Sequence, residues 1–266
     1  MAHEKKEKMH LGRFRFASIG SGSKGNGLIV EGGKTRVLLD CGFGLKDSIK
    51  RMLFHGVEPS SLDAIIVTHE HGDHVSGVQK LSSKYKLPVF LTNGTLQAVA
   101  EKFTLSNTVI IEGYESFTIG ELSINPFPVP HDAREPAQFV FSNGKKKLGV
   151  LTDLGRSTKH LESMLSGCDG LVLECNHDRY LLEKSNYPLS LKNRIGGSLG
   201  HLSNDAAANI LLNIDTKKLK KIVAAHLSES NNTPQLAKTS LSQALSVSPD
   251  HIEIADQESG FDWIEL

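Results

Sequence analysis

Short apolar runs alternate along the chain with segments in which apolar side chains recur at helical spacing. The runs predict β-strands, and Gly-rich turns separate the first three of them. The predicted strands cover residues 14–19, 28–31, 36–40, 64–68, 88–91, 171–174 and 221–225. Residues 109–152 carry a mostly β pattern, within which Asn143 and Gly144 predict a two-residue hairpin turn.

Helical spacing is clearest where Leu45, Ile49, Met52 and Leu53 fall at i, i+4, i+7 and i+8, which predicts a helix up to Phe54. The other predicted helices follow His74, carry Leu96, Val99, Ala100 and Phe103, and cover residues 204–214 and 234–245, the last with Thr233 as N-cap. Helices interleaved with strands favour an α/β fold, with helices covering the outer faces of sheets. We expect residues 13–266 to form one domain and residues 1–12 to form a flexible polar tail.

Composition narrows the class of protein. The 266 residues are 39% hydrophobic and 23% charged, which excludes a disordered, collagen-like or coiled-coil chain. The charges of the 30 basic and 30 acidic residues cancel, so non-specific binding of nucleic acid over the whole surface is not expected. A local basic groove is not excluded. No apolar run approaches the roughly 18 residues that a membrane span needs. Three cysteines without CxxC spacing do not predict a disulfide framework, and a cytoplasmic location is expected.

One segment carries most of the chemical information. Residues 68–74 spell Thr-His-Glu-His-Gly-Asp-His, which has the form H-x-H-x-D-H, in a chain with 12 His. Imidazole and carboxylate groups suit Zn, Mn or Fe. Four such groups within six residues cannot surround one ion in tetrahedral geometry. Two neighbouring ions that share the segment are the simpler arrangement.

Two ions need further ligands, and the rest of the chain offers them. Apolar runs lead directly into His69, Asp153 and His226, and His131 follows the stiff Pro-containing segment 126–130. The carboxyl ends of strands meet at one edge of a sheet, which is where α/β folds place their sites. We therefore expect these side chains to converge with Asp73 and its neighbours.

In this order the motifs resemble those of the metallo-β-lactamase fold hydrolases, and the resemblance extends from about Phe14 to the C-terminus. It implies an αββα four-layer sandwich of two mixed β-sheets with helices on the outer faces. It also implies two divalent metal ions, Zn or Mn. The implied ligands of the first ion are His69, His71 and His131. Those of the second are Asp73, His74 and His226, and Asp153 bridges the two ions.

Four further segments narrow the resemblance to the YycJ family, small relatives of ribonucleases J and Z. They are residues 21–26, 174–178, 200–204 and 226–234. The resemblance implies a metal-dependent 5′-to-3′ exonuclease acting on DNA. A hydroxide on the metal ions would be the nucleophile, since a bound cation lowers the pKa of water to about 7. Asp73 would help to orient that water.

The remaining candidate residues carry weaker predictions. His177 and His201 are candidates for the proton donor to the leaving oxygen, and each has a structural loop role as its alternative. His201 also lies just before a predicted helix whose N-terminus could hold phosphate. Ser228 could donate to a phosphate oxygen. Asn26 lies in a Gly-rich loop that either binds phosphate or forms a tight turn lining the pocket.

Other functions share the metal motif. A cyclic phosphodiesterase, a ribonuclease Z-like RNA nuclease, and a thioesterase or lactonase all remain open. Flavin-linked di-iron proteins of this fold carry Glu where this chain has His71, so redox chemistry is disfavoured. A non-catalytic binding module would have lost ligands, and none is missing. Two lysine clusters, residues 145–147 and 217–221, are either solvated surface or a patch that contacts a strand.

Overall fold

Two mixed β-sheets of seven strands each face one another in a computed structural model that describes residues 12–266. The strands of the first sheet are β1 (Phe14–Gly20), β2 (Gly27–Gly32), β3 (Thr35–Leu39), β4 (Ala64–Ile66), β5 (Val89–Leu91), β6 (Thr108–Ile110) and β14 (Phe261–Glu265). Their order across the sheet is β14-β1-β2-β3-β4-β5-β6. The last strand of the chain therefore returns to the edge of the first sheet.

The second sheet repeats this plan with the next part of the chain. Its strands are β7 (Phe117–Ile119), β8 (Leu122–Pro128), β9 (Ala137–Ser142), β10 (Lys147–Leu151), β11 (Gly170–Glu174), β12 (Lys221–Ala225) and β13 (Ile252–Ile254). Their order is β13-β12-β11-β10-β9-β8-β7. In each sheet one half is antiparallel and the other parallel, with the change at β3 and at β10. The parallel strands send their carboxyl ends to one edge of each sheet.

Helices cover the outer face of each sheet. Those on the first sheet are α1 (Leu45–Phe54), α2 (Gly72–Val75), α3 (Val78–Tyr85) and α4 (Asn93–Ala100). Those that follow in the second half of the chain are α5 (Lys159–Leu165), α6 (Arg179–Lys184), α7 (Leu189–Ile195), α8 (Asn204–Asn213) and α9 (Pro234–Leu245). None of these helices, all within residues 12–266, is long and apolar enough to cross a membrane.

Alternation along the strands builds the core. On β2, Leu28 and Val30 belong to the cluster shared by both sheets, whereas Ile29 belongs to the cluster under the helices of the first sheet. Leu38 on β3 likewise belongs to the cluster under the helices, whereas the residues on either side of it belong to the cluster shared by both sheets. A third cluster fills the space between the second sheet and α5, α8 and α9. Because both faces of the central strands are covered, these strands are apolar at nearly every position. The predicted αββα four-layer sandwich is confirmed.

The predicted elements agree with the structure in most places. The helices at residues 45–54 and 234–245 have the predicted bounds, and Thr233 Oγ1 accepts from Leu236 N as an N-cap. The hairpin prediction was wrong in length. Residues 143–146 separate β9 from β10, and Asn143 Oδ1 accepts from the backbone N–H groups of Lys145 and Lys146. The Asn143 side chain thus stabilises a four-residue loop in place of the predicted two-residue turn.

Two helix ends lie one to three residues before their predicted positions. The helix predicted after His74 is present as α3, which follows the short α2, and α4 ends at Ala100, before Phe103. The predicted 204–214 helix ends at Asn213. Helices α5, α6 and α7 were not predicted, because their short segments do not complete an apolar face. The predicted tail, residues 1–12, lies outside the described residues apart from Gly12.

Candidate metal centre

Strand ends from both sheets meet at one place. Strand β4 of the first sheet leads through Thr68 to His69, while β10 and β12 of the second sheet lead to Asp153 and His226. His131 lies beyond the end of β8. The convergence that the sequence predicts at the sheet edges is therefore present, and it joins both sheets rather than one.

The seven predicted metal ligands lie in overlapping groups. Within each group, one potential ligand atom per residue lies within 4.8 Å of all the others. The groups are His69, His71 and His131; Asp73, His74 and His226; and His69, His74 and Asp153. The first two groups are the two predicted ligand sets. Asp153 connects them, since it groups with a member of each.

Unpaired buried atoms test whether these residues fit metal ions. His69 Nε2, His226 Nε2 and Asp153 Oδ2 are all buried and have no hydrogen-bond partner. Each buried polar atom left in this way costs about 1–3 kcal/mol of stability. Divalent cations would satisfy all three atoms at once, and imidazole with carboxylate is a donor set that Zn or Mn accepts. The residues fit divalent cations.

Groups behind the ligands fix the orientation of two imidazole rings. His74 Nδ1 donates to Asp40 Oδ2 over 2.8 Å, and His131 Nδ1 donates to the Gly200 carbonyl over 3.1 Å. Asp40 also accepts from the backbone N–H and hydroxyl of Thr68, at 2.9 and 2.8 Å. Because Nδ1 carries the proton in both rings, Nε2 is left free to act as a ligand.

Glu174 is the second buried carboxylate behind the site. Its Oε1 accepts from His201 Nδ1 over 2.7 Å, and His226 Nδ1 lies 3.4 Å from the same oxygen. Its Oε2 accepts from the backbone N–H groups of Leu154 and Leu202. Burial raises the pKa of Glu174, but the charge and hydrogen bond of His201 outweigh burial and lower the pKa to about 2. Glu174 therefore stays ionised and holds two imidazole rings.

Electrostatics keep the acidic ligands ionised. Burial alone would raise the pKa of Asp73, yet the nearby His226 and His74 rings, whose Nε2 atoms lie 3.6 and 3.4 Å from Asp73 Oδ2, hold it well below its usual range. Asp153 is also shifted downward, because the attraction of His226 and His74 outweighs its complete burial. Burial lowers the pKa of His69, which therefore stays neutral. For His74 and His226, by contrast, the neighbouring carboxylates outweigh burial and raise the pKa, to about 10 for His226, so a metal ion would have to displace a proton from each of these two rings. Anionic carboxylates and neutral imidazoles are the forms that coordinate metal ions.

Backbone strain is concentrated at the strand ends. Asp40, Asp153 and His226 have φ values of +60°, +54° and +56°. The left-handed region is rare for residues other than Gly and costs of order 1–3 kcal/mol at each position. All three residues belong to the site or directly support it. Strain of this kind persists where the surrounding structure holds it in place.

Of the weaker candidates, some lie in the ligand groups and others do not. His201 joins the cluster, in a group with Asp153, Glu174 and His226. His177 joins none of these groups; it is 3% exposed, its Nδ1 has no hydrogen-bond partner, and burial lowers its pKa to about 4. Ser228 Oγ accepts from the backbone N–H of Asn231 within its own loop.

Asn26 lies beneath the His-rich segment. Its Nδ2 donates to the Asp73 carbonyl over 3.3 Å and lies 3.1 Å from His74 Nε2, while its Oδ1 accepts from Gly22 N. The Gly-rich loop that contains it therefore packs against the metal-ligand segment. A close approach at Gly42 continues this packing, because a Cβ there would lie 1.7 Å from the Asp73 carbonyl oxygen.

The sequence prediction missed Asp40 and Glu174 as functional residues. Both end an apolar run, which is the feature that singled out Asp153 and His226. Applied to every strand, the same rule finds them. Cys41 and Cys175, by contrast, are buried and belong to no ligand group among the described residues.

Comparison with known proteins shows which families, relatives and solved structures the chain is similar to. The family described as Beta-lactamase superfamily domain matches residues 35–226. The chain is 35% identical over 235 residues to Exodeoxyribonuclease YycJ of Bacillus anthracis, covering 86% of this chain and 88% of that protein. It is 34% identical over 229 residues to Exodeoxyribonuclease WalJ of Streptococcus pneumoniae serotype 2, covering 84% and 85%. The metallo-β-lactamase fold protein YhfI from Bacillus subtilis has a similar fold, with a TM-score of 0.74 and 18% identity over 96% of this chain and 100% of YhfI.

Proposed function

The chain belongs to the metallo-β-lactamase superfamily, in the YycJ/WalJ group, and we propose that it is a metal-dependent 5′-to-3′ exonuclease that hydrolyses phosphodiester bonds in DNA. The relatives named as exodeoxyribonucleases support DNA as the substrate. The direction of digestion follows from the resemblance to this group alone. The observation that carries the proposal is the cluster of seven ligand side chains, in which three buried atoms lack a partner.

We assign the ligands in two sets. His69, His71 and His131 would hold one divalent cation, Asp73, His74 and His226 would hold a second, and Asp153 would contact both. The ligand-atom separations of at most 4.8 Å within each set support this assignment. When bound, two such cations, Zn or Mn, make hydroxide available near neutral pH and neutralise charge on a phosphodiester.

His201 is our candidate for the proton donor to the leaving oxygen. Burial lowers the pKa of His201, but the neighbouring Glu174 carboxylate outweighs this effect, so the ring is more basic than an ordinary imidazole. Its Nδ1 donates to Glu174, which leaves Nε2 to face a substrate. His177 is a weaker candidate, because it is buried away from the ligand groups with a pKa lowered to about 4.

The substrate-binding roles proposed for Asn26 and Ser228 have less support. The Asn26 amide already contacts Gly22, Asp73 and His74, so a contribution to the position of the ligands fits its contacts better. Ser228 retains its hydroxyl proton for a phosphate oxygen, because in its described hydrogen bonds with Asn231 the hydroxyl oxygen is the acceptor.

The decisive experiment compares substrates on the metal-loaded protein. Single- and double-stranded DNA labelled at either end, RNA, a cyclic nucleotide and a thioester are incubated separately. We expect mononucleotides to be released from the 5′ end of DNA, and His71→Ala and Asp73→Ala to abolish this activity. Hydrolysis of the thioester or the cyclic nucleotide alone would overturn the assignment as a nuclease, and release from the 3′ end would overturn its direction.

A further inference from the structure

His226, a proposed ligand of the second cation, has an uncommon backbone conformation. Its φ of +56° lies in the left-handed region, which few residues other than Gly adopt. The residue directly follows β12 and is 1% exposed, so its peptide groups have almost no access to solvent. The main-chain ladder between β11 and β12 ends just before it, where Cys175 N donates to the Ala225 carbonyl over 2.9 Å. The peptide groups of His226 therefore need partners of another kind.

Two side chains from distant loops supply these partners. His226 N donates to Ser21 Oγ over 3.0 Å, and Asn176 Nδ2 donates to the His226 carbonyl over 3.0 Å. Because the two hydrogen bonds lie on either side of the Cα atom of His226, together they fix the orientation of both its peptide groups. A left-handed residue persists only where its surroundings hold it in this way.

Ser21 and Asn176 are themselves held in place by the main chain. Ser21 N donates to the Asp256 carbonyl over 3.1 Å, and the residue is 7% exposed. Asn176 N donates to the Leu202 carbonyl over 3.0 Å, and this residue is 4% exposed. Both residues belong to segments on which the resemblance to the YycJ family rests, although neither is a proposed metal ligand.

The conformation of His226 decides where its ring points. Its Nε2 has no hydrogen-bond partner and lies 3.5 Å from Asp153 Oδ1 and 3.6 Å from Asp73 Oδ2. Its Nδ1 lies 3.4 Å from Glu174 Oε1 and 3.4 Å from Asn176 Nδ2. With any other φ, Cβ would leave the backbone in a different direction and carry Nε2 away from the two carboxylates.

We propose that Ser21 and Asn176 are positioning residues, which hold His226 in its left-handed conformation and so keep its ring in place for the second cation. The proposal rests on the assignment of His226 as a metal ligand under the proposed function. Both residues act through the main chain of His226. The Gly-rich loop and segment 174–178 thereby acquire a common role at the metal centre.

Two other buried polar residues provide matched controls. Ser82 is 3% exposed and its hydroxyl donates to the Leu87 carbonyl over 2.7 Å. Asn204 is 3% exposed and exchanges two hydrogen bonds of 2.9 Å with the side chain of Asn232. Replacement of either by Ala removes a buried hydrogen-bonding group of the same type without altering a contact of His226. An effect that all four variants share would therefore come from the fold and not from the position of the ring.

The first test measures metal binding with no substrate present. Metal-free protein is titrated with Zn or Mn in competition with a chromophoric chelator, and the wild type should bind two equivalents. In Ser21→Ala and in Asn176→Ala, one of the two equivalents should bind about 10- to 100-fold more weakly. Ser82→Ala and Asn204→Ala should bind both equivalents as the wild type does.

The second test needs no metal. Hydrogen exchange of the metal-free protein is followed at single amides by NMR. The amide of His226 should exchange about ten-fold faster in Ser21→Ala than in the wild type, because its acceptor is lost. In Ser82→Ala this amide should exchange at the wild-type rate.

The outcomes separate this proposal from the proposed function. Wild-type metal affinity in both Ser21→Ala and Asn176→Ala, an equal loss of affinity in the two control variants, or unchanged exchange of the His226 amide in Ser21→Ala would overturn the positioning role and leave the proposed function intact. If all four variants behave as expected but the metal-loaded wild type cleaves no nucleic acid, the nuclease assignment fails and the positioning role stands.

Discussion

Two carboxylates outside the predicted ligand set support several imidazole rings of the metal centre. Asp40 holds His74 from the first sheet, and Glu174 holds His201 and contacts His226 from the second. Groups in this position fix ring orientation, and their loss commonly costs 10- to 100-fold in metal affinity or activity. The two residues make different predictions, because the short hydrogen bond of Asp40 goes to a proposed ligand, whereas that of Glu174 goes to a proposed proton donor and the ligand His226 lies farther from it, at 3.4 Å.

Asp40→Asn should weaken metal binding. Asn tolerates the left-handed backbone that Asp40 adopts, so the variant should keep the turn while its neutral amide holds the His74 ring less firmly. We expect metal affinity to fall by about 10- to 100-fold in competition with a chelator. Asp63→Asn, at an exposed carboxylate near the other end of β3, is the control. Unchanged affinity in Asp40→Asn would contradict the role given to Asp40.

Glu174→Gln should lower kcat more than it lowers metal content. The amide can still accept from Leu154 and Leu202, but it loses the charge that orients His201 and makes its ring basic. We expect kcat on DNA to fall by about 100-fold, as for loss of proton transfer. The alkaline limb of the pH profile, where His201 loses its proton, should be displaced to lower pH. Glu162→Gln is the control, because Glu162 lies on α5 and contacts Lys159. Wild-type kcat would exclude this role.

At the scale of elements, the sequence predicted most of what positions the site. Strands buried on both faces leave continuous apolar runs, and a donor residue after such a run was enough to locate His69, Asp153 and His226. The contacts of Asn26 could not be predicted, because they depend on how a loop packs against Asp73 from a distant part of the chain. Helices α6 and α7 were not predicted for a different reason: Leu182 is the one buried side chain of the two helices, so no buried face gives them a helical period.

Strands β1, β2 and β3 share an ion network outside the site. Glu31 accepts from Arg15 on one neighbouring strand and from Arg36 on the other, and the Arg15 guanidinium lies 3.8 Å from the centre of the Trp263 ring on β14. Burial raises the pKa of Glu31, but the hydrogen bonds of Arg15 and Arg36 outweigh it and lower the pKa. The network therefore links four adjacent strands through one ionised carboxylate.

A lowered carboxyl pKa stabilises the folded state above the ordinary pKa of Glu, and this contribution is lost as the pH falls through the lowered value. Glu31→Gln should therefore cost about 1–3 kcal/mol of unfolding free energy at pH 7. The difference from the wild type should shrink as the pH is lowered below about 4.5. Urea unfolding of both proteins across this range tests the point, and a difference independent of pH would contradict it.

At the scale of the whole molecule, the metal centre joins the two sheets. His69 follows a strand of the first sheet, while Asp153 and His226 follow strands of the second, so bound cations would hold both sheets at one edge. After β13, at the edge of the second sheet, the chain returns to the edge of the first sheet as β14, so the two sheets are also connected there. We propose on this basis that residues 13–266 form a single domain.

Removal of metal should therefore destabilise the whole chain rather than one half. Ligands that bind only the folded state raise its stability, by about 2.7 kcal/mol at a hundred-fold excess over Kd. A chelator should lower Tm by several degrees, and one calorimetric transition should remain. Added Zn or Mn should restore the original Tm. Two separate transitions would contradict the single domain, and an unchanged Tm would contradict the role of metal ions in joining the sheets.

The most direct test of the account is the metal content of the purified protein, measured by elemental analysis alongside protein concentration. Two equivalents of divalent metal per chain are expected in the wild type. Fewer are expected in Asp153→Ala, because its carboxylate is proposed to contact both ions. A wild-type protein that binds no divalent metal, or an Asp153→Ala variant that keeps two equivalents, would contradict the central claim that these seven side chains hold a pair of cations.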